Sequence, residues 1–274
     1  MAEHSRFFLN KPHVWHIQEA GNGPLLLLIH GAGGATQSWR HLFPLLAKTH
    51  RVIAIDLPGQ GFTKLGAQQR CGLVEMAEDI THLCVSQNWR PQAIIGHSAG
   101  TAIALQMVDK NPNLTRKVIG INSALDNFKG LAGVFFPIMA KTLAMLPMVA
   151  DLFSASTSRA NSGQKLINAT GSKLEPSDMR FYQSLMSDRQ HINATLQMMS
   201  QWKLDPLINR LNMINTETLL LASDGDLMVP IDVTKKAADK LPNTEFRLIA
   251  GLGHLAHEED PKMIIKELAC FLKQ

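Results

Sequence analysis

Six short apolar runs recur along the chain: Leu25–Ile29, Val52–Ile55, Ala93–Ile95, Val118–Ile121, Thr218–Ala222 and Phe246–Ile249. A strand that is apolar at consecutive positions has no face to offer water, so it must be covered on both sides. Between the runs lie glycine-containing turns and stretches with helical spacing: Ser38–Ala47, Leu73–Gln87, Gly100–Lys110, Ile231–Lys240 and Pro261–Leu272. The last opens on proline, whose missing N–H costs nothing in a first helical turn. Strands alternating with helices predict an α/β fold with a mostly parallel, doubly wound sheet. A hairpin precedes it, Ser5–Leu9 and His13–Glu19 around Asn10-Lys11-Pro12.

The alternation stops between Leu125 and Pro206, where only apolar and amphipathic helix-like segments occur. This predicts a helical cap (125–206) inserted after the sixth strand into a core formed by 1–124 and 207–274. Leu131–Ala150 is long enough to suggest a membrane span, but Pro137, Lys141 and Pro147 interrupt it. Eight of the 13 methionines fall between Leu125 and Met213, which suits an adaptable apolar pocket or equally the packing of the cap itself.

Composition narrows the function classes. Hydrophobic residues make up 45 % and charged residues 18 % of 274, with mean hydropathy −0.02, which excludes a disordered chain and a polytopic membrane protein. The net charge of +4 is scattered, and nucleic-acid binding would want a dense basic stripe. Cys71, Cys84 and Cys270 form no C-x-x-C and read as reduced thiols. MAEHSRFFLNK lacks the apolar stretch of a signal peptide, so a cytoplasmic location is expected.

The chemistry concentrates at Gly96-His97-Ser98-Ala99-Gly100, a G-x-S-x-G with a strand before it and a helix after. That context puts Ser98 on a sharp turn, with Gly96 and Gly100 allowing neighbouring elements close. A serine hydroxyl needs a base, and His254 lies in GLGH after the last strand, on the sheet edge where parallel strands present their C-terminal ends. His97 is expected to pack beside the turn. His257 and Glu258 follow His254 at helical spacing, a weak metal pattern that reads instead as local packing. Asp226, at the end of LLLASDGD, is the expected orienting carboxylate; Asp224 reads as a turn former and Asp126 is a further rival. In His30-Gly31-Ala32-Gly33-Gly34, glycines let backbone N–H groups face a ligand. Ala32 and Ala99 are the expected oxyanion donors, with His30 and Gly31 supporting them. Thr36 stands where a dinucleotide loop wants its third glycine, and no G-x-x-x-x-G-K-[ST] occurs, so neither a nucleotide cofactor nor a metal is expected.

HGAGG, DLPGQGFT (Asp56–Thr63), GHSAG, the Asp226 loop and GLGH together resemble the α/β-hydrolase superfamily over essentially the whole chain. The order Ser98, Asp226, His254 is that of its triads. GINSALDNFKGLAG (Gly120–Gly133), NATGSKL (Asn168–Leu174), MMSQWKLDPL (Met198–Leu207) and GHLAHEEDP (Gly253–Pro261) further resemble one subfamily, the magnesium-chelatase accessory proteins of bacteriochlorophyll biosynthesis. The superfamily implies a serine hydrolase working through an acyl-enzyme on an ester or related, bulky apolar carbonyl compound. The subfamily implies instead a tetrapyrrole-binding protein that assists magnesium-chelatase subunits. A general carboxylesterase or a C–C bond hydrolase of ring-cleavage products is the third expectation. Fold alone does not choose among them.

Overall fold

A computed structural model describes residues 2–126 and 162–273. The apolar runs pair into one eight-stranded sheet of order β1-β2-β4-β3-β5-β6-β7-β8. Its strands are β1 (Ser5–Asn10), β2 (His13–Ala20), β3 (Leu25–Ile29), β4 (Arg51–Ile55), β5 (Ala93–His97), β6 (Lys117–Ile121), β7 (Glu217–Ser223) and β8 (Thr244–Ile249). β1 and β2 form the antiparallel hairpin, β2 pairs antiparallel with β4, and every pairing from β4 to β8 is parallel. The central strands β3, β5 and β6 are buried at every residue, whereas the edge strands β1 and β8 are half exposed.

Alternate residues of β3 enter opposite layers, as the period of a strand requires. Leu25, Leu27 and Ile29 pack with Met76, Ile80, Leu83 and Ile103 from the helices Leu73–Ser86 and Ala99–Lys110. Leu26 and Leu28 pack with Trp39, Phe43, Leu268 and Phe271 on the other face, the last two from the helix Pro261–Leu272. One expected helix, Ser38–Ala47, divides into a 3-10 turn (Thr36–Trp39) and a short helix (Phe43–Leu46). Pro44 has no N–H for the carbonyl of Arg40, which ends a continuous ladder there.

Helices Ser162–Ala169, Pro176–Ser187 and Arg189–Gln201 occupy the described part of the chain between β6 and β7. The run Leu131–Ala150, and with it Phe128, Phe135, Phe136 and Phe153, lies outside the described residues. Among the described residues no helix is long and apolar enough to cross a membrane.

Ser98, between β5 and the helix Ala99–Lys110, is forced to φ 51°, ψ −117°. Two glycines make the crossing possible. A Cβ on Gly96 would lie 2.4 Å from the carbonyl carbon of Gly100, and one on Gly100 would lie 2.2 Å from the carbonyl oxygen of Ile29 in β3. The helix therefore starts in contact with sheet backbone.

A buried ion cluster ties the helix Pro176–Ser187 to the segments after β3 and β8. Arg40 donates to Asp178 Oδ1 at 2.8 Å and to Glu258 Oε2 at 2.5 Å. Tyr182 donates its hydroxyl to Glu258, and His41 Nε2 meets Asp178 Oδ2 at 2.9 Å. The hydrogen bond from Arg40 holds the Asp178 carboxyl down at about 2. Burial pushes Glu258 the other way, up to about 7, against the attraction of Arg40.

Gly100→Ala forces β3 and the helix apart and costs about 1–3 kcal/mol or more in urea unfolding. Gly163→Ala is the control: its Cβ meets Met179 Cε at an ordinary 3.5 Å, and it stabilises by about 0.5–1 kcal/mol. In the ion cluster, Arg40→Met strands two buried carboxylates at a cost of about 3–5 kcal/mol. A carboxyl raised by folding holds its proton longer in the native state, so the Glu258 contribution falls as pH rises from the unfolded value towards about 7. Glu258→Gln abolishes that dependence, and its urea midpoint gains on wild type between pH about 5 and about 8.

Candidate active site

Because β3 to β8 run parallel, the loops following their C-terminal ends share one edge of the sheet. Ser98 stands there half-buried at the start of its helix. The Ser98 N–H donates to the Ile121 carbonyl at the end of β6, and the Ser98 carbonyl accepts from Ala124 and Thr101. The serine backbone is thus held from the neighbouring strand as well as from its own helix.

His254 and Asp226 are brought together. His254 Nδ1 lies 2.7 Å from Asp226 Oδ2, and the carboxylate side chain is fully buried. The other oxygen, Oδ1, accepts from the Met228 and Val229 N–H groups, both at 2.8 Å. With its oxygens so held, the carboxylate can face only one imidazole nitrogen, which leaves Nε2 as the free face of the ring. Asp224 sits elsewhere: its Oδ1 accepts from the Gly251 N–H at 2.6 Å, joining the loops after β7 and β8. Asp126 lies past the end of β6, and the carboxylate at His254 Nδ1 is that of Asp226.

His97 packs beside the serine turn, donating from Nε2 to the His254 carbonyl at 2.9 Å. Its ring centroid is 4.8 Å from that of His254 and 4.4 Å from that of His257. Burial drives its pKa well below the ordinary histidine value. His257 is also fully buried, against Trp39 and His97, and burial lowers it to about 3. Among the described residues no group of three or more His, Cys, Asp or Glu side chains could hold a metal ion.

The loop after β3 approaches the serine turn closely. A Cβ on Gly31 would lie 3.0 Å from Ser98 Cβ and 2.9 Å from His97 Nδ1. His30 props this loop from below: Nδ1 donates to the Gly31 carbonyl at 2.7 Å, and Nε2 accepts from the Leu57 N–H at 3.0 Å. That pattern requires the neutral ring, and burial lowers its pKa to about 4. Gly34 donates to the Gly31 carbonyl at 3.0 Å, closing a tight turn with Gly33 at φ 73°. Among the described residues, neither the Ala32 nor the Ala99 N–H finds an acceptor. Asp56 completes the support, accepting from Thr36 N–H, Phe62 N–H and His16 Nδ1.

Three contributors escape sequence reasoning. Asn122, at the end of β6, donates to the Gly253 and His254 carbonyls and accepts from the Ser223 N–H, so one amide joins the loops after β7 and β8. The turn Thr170-Gly171-Ser172 reaches in from the helical segment. The Thr170 carbonyl accepts from Leu227 and His254, and Ser172 Oγ accepts from Leu255. Gly171 must be glycine, since its φ is 84° and a Cβ would lie 1.9 Å from the Gly225 carbonyl oxygen. His191, from the helix Arg189–Gln201, contacts the loop after β3. The sequence signals for these residues are the GINSALDNFKGLAG motif, which contains Asn122, and the NATGSKL motif around Gly171; His191 lies in neither.

The matches to known proteins agree with this architecture. A family model for the α/β-hydrolase fold matches residues 24–261. The chain is 44 % identical to the "Magnesium-chelatase 30 kDa subunit" of Rhodobacter capsulatus over 90 % of its own length and 87 % of the relative's. It is 26 % identical to the 2-hydroxy-6-oxo-6-phenylhexa-2,4-dienoate hydrolase of Burkholderia cepacia, covering 89 % of this chain and 86 % of that one. A thermophilic esterase from Thermogutta terrifontis shares the fold at a TM-score of 0.76 and 18 % identity, with 98 % of each chain covered. With its sheet order, its serine turn and these matches, the chain belongs to the α/β-hydrolase fold family, together with the Rhodobacter chelatase subunit.

Proposed function

We propose that this chain is a serine hydrolase acting on an ester or related carbonyl compound through an acyl-enzyme. The observation that carries the reading is the buried 2.7 Å contact of His254 Nδ1 with Asp226 Oδ2 on the same sheet edge as the strained Ser98 turn. Ser98 Oγ attacks the carbonyl carbon while His254 Nε2 takes the hydroxyl proton. Asp226 holds the imidazole tautomer and stabilises the imidazolium. The Ala32 and Ala99 N–H groups receive the oxyanion, with the Ala99 donor at a helix N-terminus. Collapse of the tetrahedral intermediate expels the alcohol, which leaves with the proton held by His254. Water, deprotonated by His254, then releases the acid. His30, Gly31, Gly96 and Gly100 support this geometry without touching the substrate. The segment 125–206 acts as a cap over a core of 1–124 and 207–274, in a protein of the cytoplasm.

A second reading is favoured by the 44 % identity to a protein named as a chelatase subunit. Here the same pocket binds a tetrapyrrole, and the chain assists magnesium-chelatase subunits without chemistry. Three described aromatics of the segment between β6 and β7 already have partners in the protein. Tyr182 is hydrogen-bonded to Glu258, the Phe181 ring faces Arg40 at 5.5 Å, and Trp202 packs on the core. A third reading, hydrolysis of a C–C bond, uses the same residues and draws on the 26 % relative.

Fluorophosphonate labelling tests the first reading. Wild type is expected to label at Ser98, and Ser98→Ala to lose both the label and hydrolysis of short p-nitrophenyl esters. Asp226→Asn should lower the ester rate on the order of 10⁴-fold with the fold intact, while Asp224→Asn, which bonds only a loop N–H, keeps most activity. Equal labelling of Ser98→Ala overturns the assignment of the nucleophile; the opposite ranking of the two aspartates moves the acid.

Protoporphyrin titrated against tryptophan fluorescence addresses the second reading. Quenching at micromolar porphyrin that also inhibits ester hydrolysis puts tetrapyrrole and ester in one pocket. Absence of quenching removes the tetrapyrrole from consideration.

A further inference from the structure

The helix Arg189–Gln201 begins at Asp188, whose Oδ1 accepts from the Gln190 and His191 N–H groups. This cap fixes His191 in the first turn, 3 % exposed. The imidazole bridges two loops of the sheet edge. The Gly61 N–H donates to Nδ1 at 3.0 Å, so the ring proton sits on Nε2, which donates to the Gly33 carbonyl at 3.1 Å. Gly33 is held on its other side too, donating its N–H to Gln60 Oε1 at 2.9 Å. Gln60 in turn contacts Met198 Sδ, two turns along the same helix, at 3.3 Å.

Both peptide groups of Gly33 are therefore restrained, and Gly33 is the left-handed corner of the Gly31–Gly34 turn. Ala32, whose N–H has no acceptor among the described residues, is the preceding corner. That N–H lies in the Gly31–Ala32 peptide, whose carbonyl accepts from His30 and from Gly34, and the Gly34 bond lasts only while Gly33 keeps its left-handed conformation. Glycine, with no side chain to restrict φ and ψ, cannot hold the shape by itself.

We propose that His191 is a positioning residue for the oxyanion turn. Bonded to the Gly33 carbonyl and the Gly61 N–H, it sets the aim of the Ala32 N–H and makes that aim depend on the seating of the helix Arg189–Gln201. The inference rests on the serine-hydrolase reading. It assigns the helical segment between β6 and β7 a part in stabilising the transition state, beyond covering the substrate. A positioning role acts on the developing oxyanion and spares ground-state binding, so it separates kcat from KM.

The test compares wild type, His191→Leu and His191→Gln on a p-nitrophenyl ester, with affinity for a trifluoromethyl ketone as the second measurement. The leucine variant removes both hydrogen bonds. Its kcat is expected to fall about tenfold to a hundredfold, less than the loss of a whole donor, with KM changed by less than about twofold. Ketone affinity should fall by a factor similar to that of kcat, because the adduct places an oxyanion in the same turn. Glutamine can both donate and accept, and it is expected to restore part of kcat and of ketone affinity.

A folded leucine variant with unchanged kcat and ketone affinity overturns the proposal and leaves His191 as a helix anchor. Loss of kcat in both variants, with ketone affinity unchanged, overturns it as well. Should Ser98→Ala retain hydrolysis, the serine-hydrolase reading fails instead. Amide hydrogen exchange at Gly31–Gly34 needs no turnover: the proposal requires it to accelerate in His191→Leu, and unchanged exchange overturns it.

Discussion

The contact between the start of the helix Ala99–Lys110 and the backbone of β3 governs the geometry of the sheet edge. Hydrogens at 96 and 100 let the helix sit where a methyl would meet the Ile29 carbonyl at 2.2 Å. That approach bends the chain through the φ 51° of Ser98 and brings Gly31 to within a Cβ's reach of it. A turn so strained persists only when its surroundings over-determine it. Here they do: the Ser98 N–H and carbonyl are both bonded to β6 or the residues after it, and His97 is bonded to the backbone of His254.

The polar groups around this edge are arranged to stay in one protonation state. His30, His97 and His257 are buried, and burial lowers all three. His30 is committed to a tautomer by an acceptor on one side and a donor on the other. The neutral rings of His30 and His97 hold loops by direction of hydrogen bonding, and none of the three adds charge beside Asp226 and His254. Opposite charges meet next to His257, in the Arg40, Asp178 and Glu258 cluster where a helix from the segment between β6 and β7 joins the core. A buried ion pair is a weak source of net stability, yet a displaced partner leaves a charge stranded. The cluster therefore fixes where the Pro176–Ser187 helix sits more than how tightly it binds.

Much of this was legible in the sequence because the sheet is buried on both faces. Runs such as LLLLI and AII have no other stable disposition, and the strand and helix limits between Leu25 and Ile121 fall within a residue or two of their expected places, Ser38–Ala47 excepted. That helix failed because the pattern of apolar residues says nothing of the missing N–H of Pro44. Ser98, His254 and Asp226 stand out by spacing and chain order, since each follows a strand at the same sheet edge, and the structure brings His254 and Asp226 into contact. Asn122, Thr170 and His191 do not stand out in that way. Their bonds are to backbone carbonyls and amides more than fifty residues distant, and no periodicity encodes a side chain's long-range partner. His191 in particular reads in sequence as one polar residue on an amphipathic helix.

The triad-like geometry and the kinship with a chelatase subunit pose a question of energetics. A pocket used only to hold a planar ligand has no need of a carboxylate buried behind an imidazole. Burying a carboxylate costs several kcal/mol unless hydrogen bonds compensate it, and Asp226 takes three, one from His254 and two from N–H groups of its own loop. An Asn at 226 would keep most of that bonding without the burial cost of a charge. In the proposed acyl-enzyme mechanism that charge gains value when His254 takes the proton of Ser98 and becomes an imidazolium. A relative that binds without turning over would be under no such constraint at this position. The arrangement of Asp226 therefore argues for chemistry at Ser98 whichever ligand the segment between β6 and β7 admits.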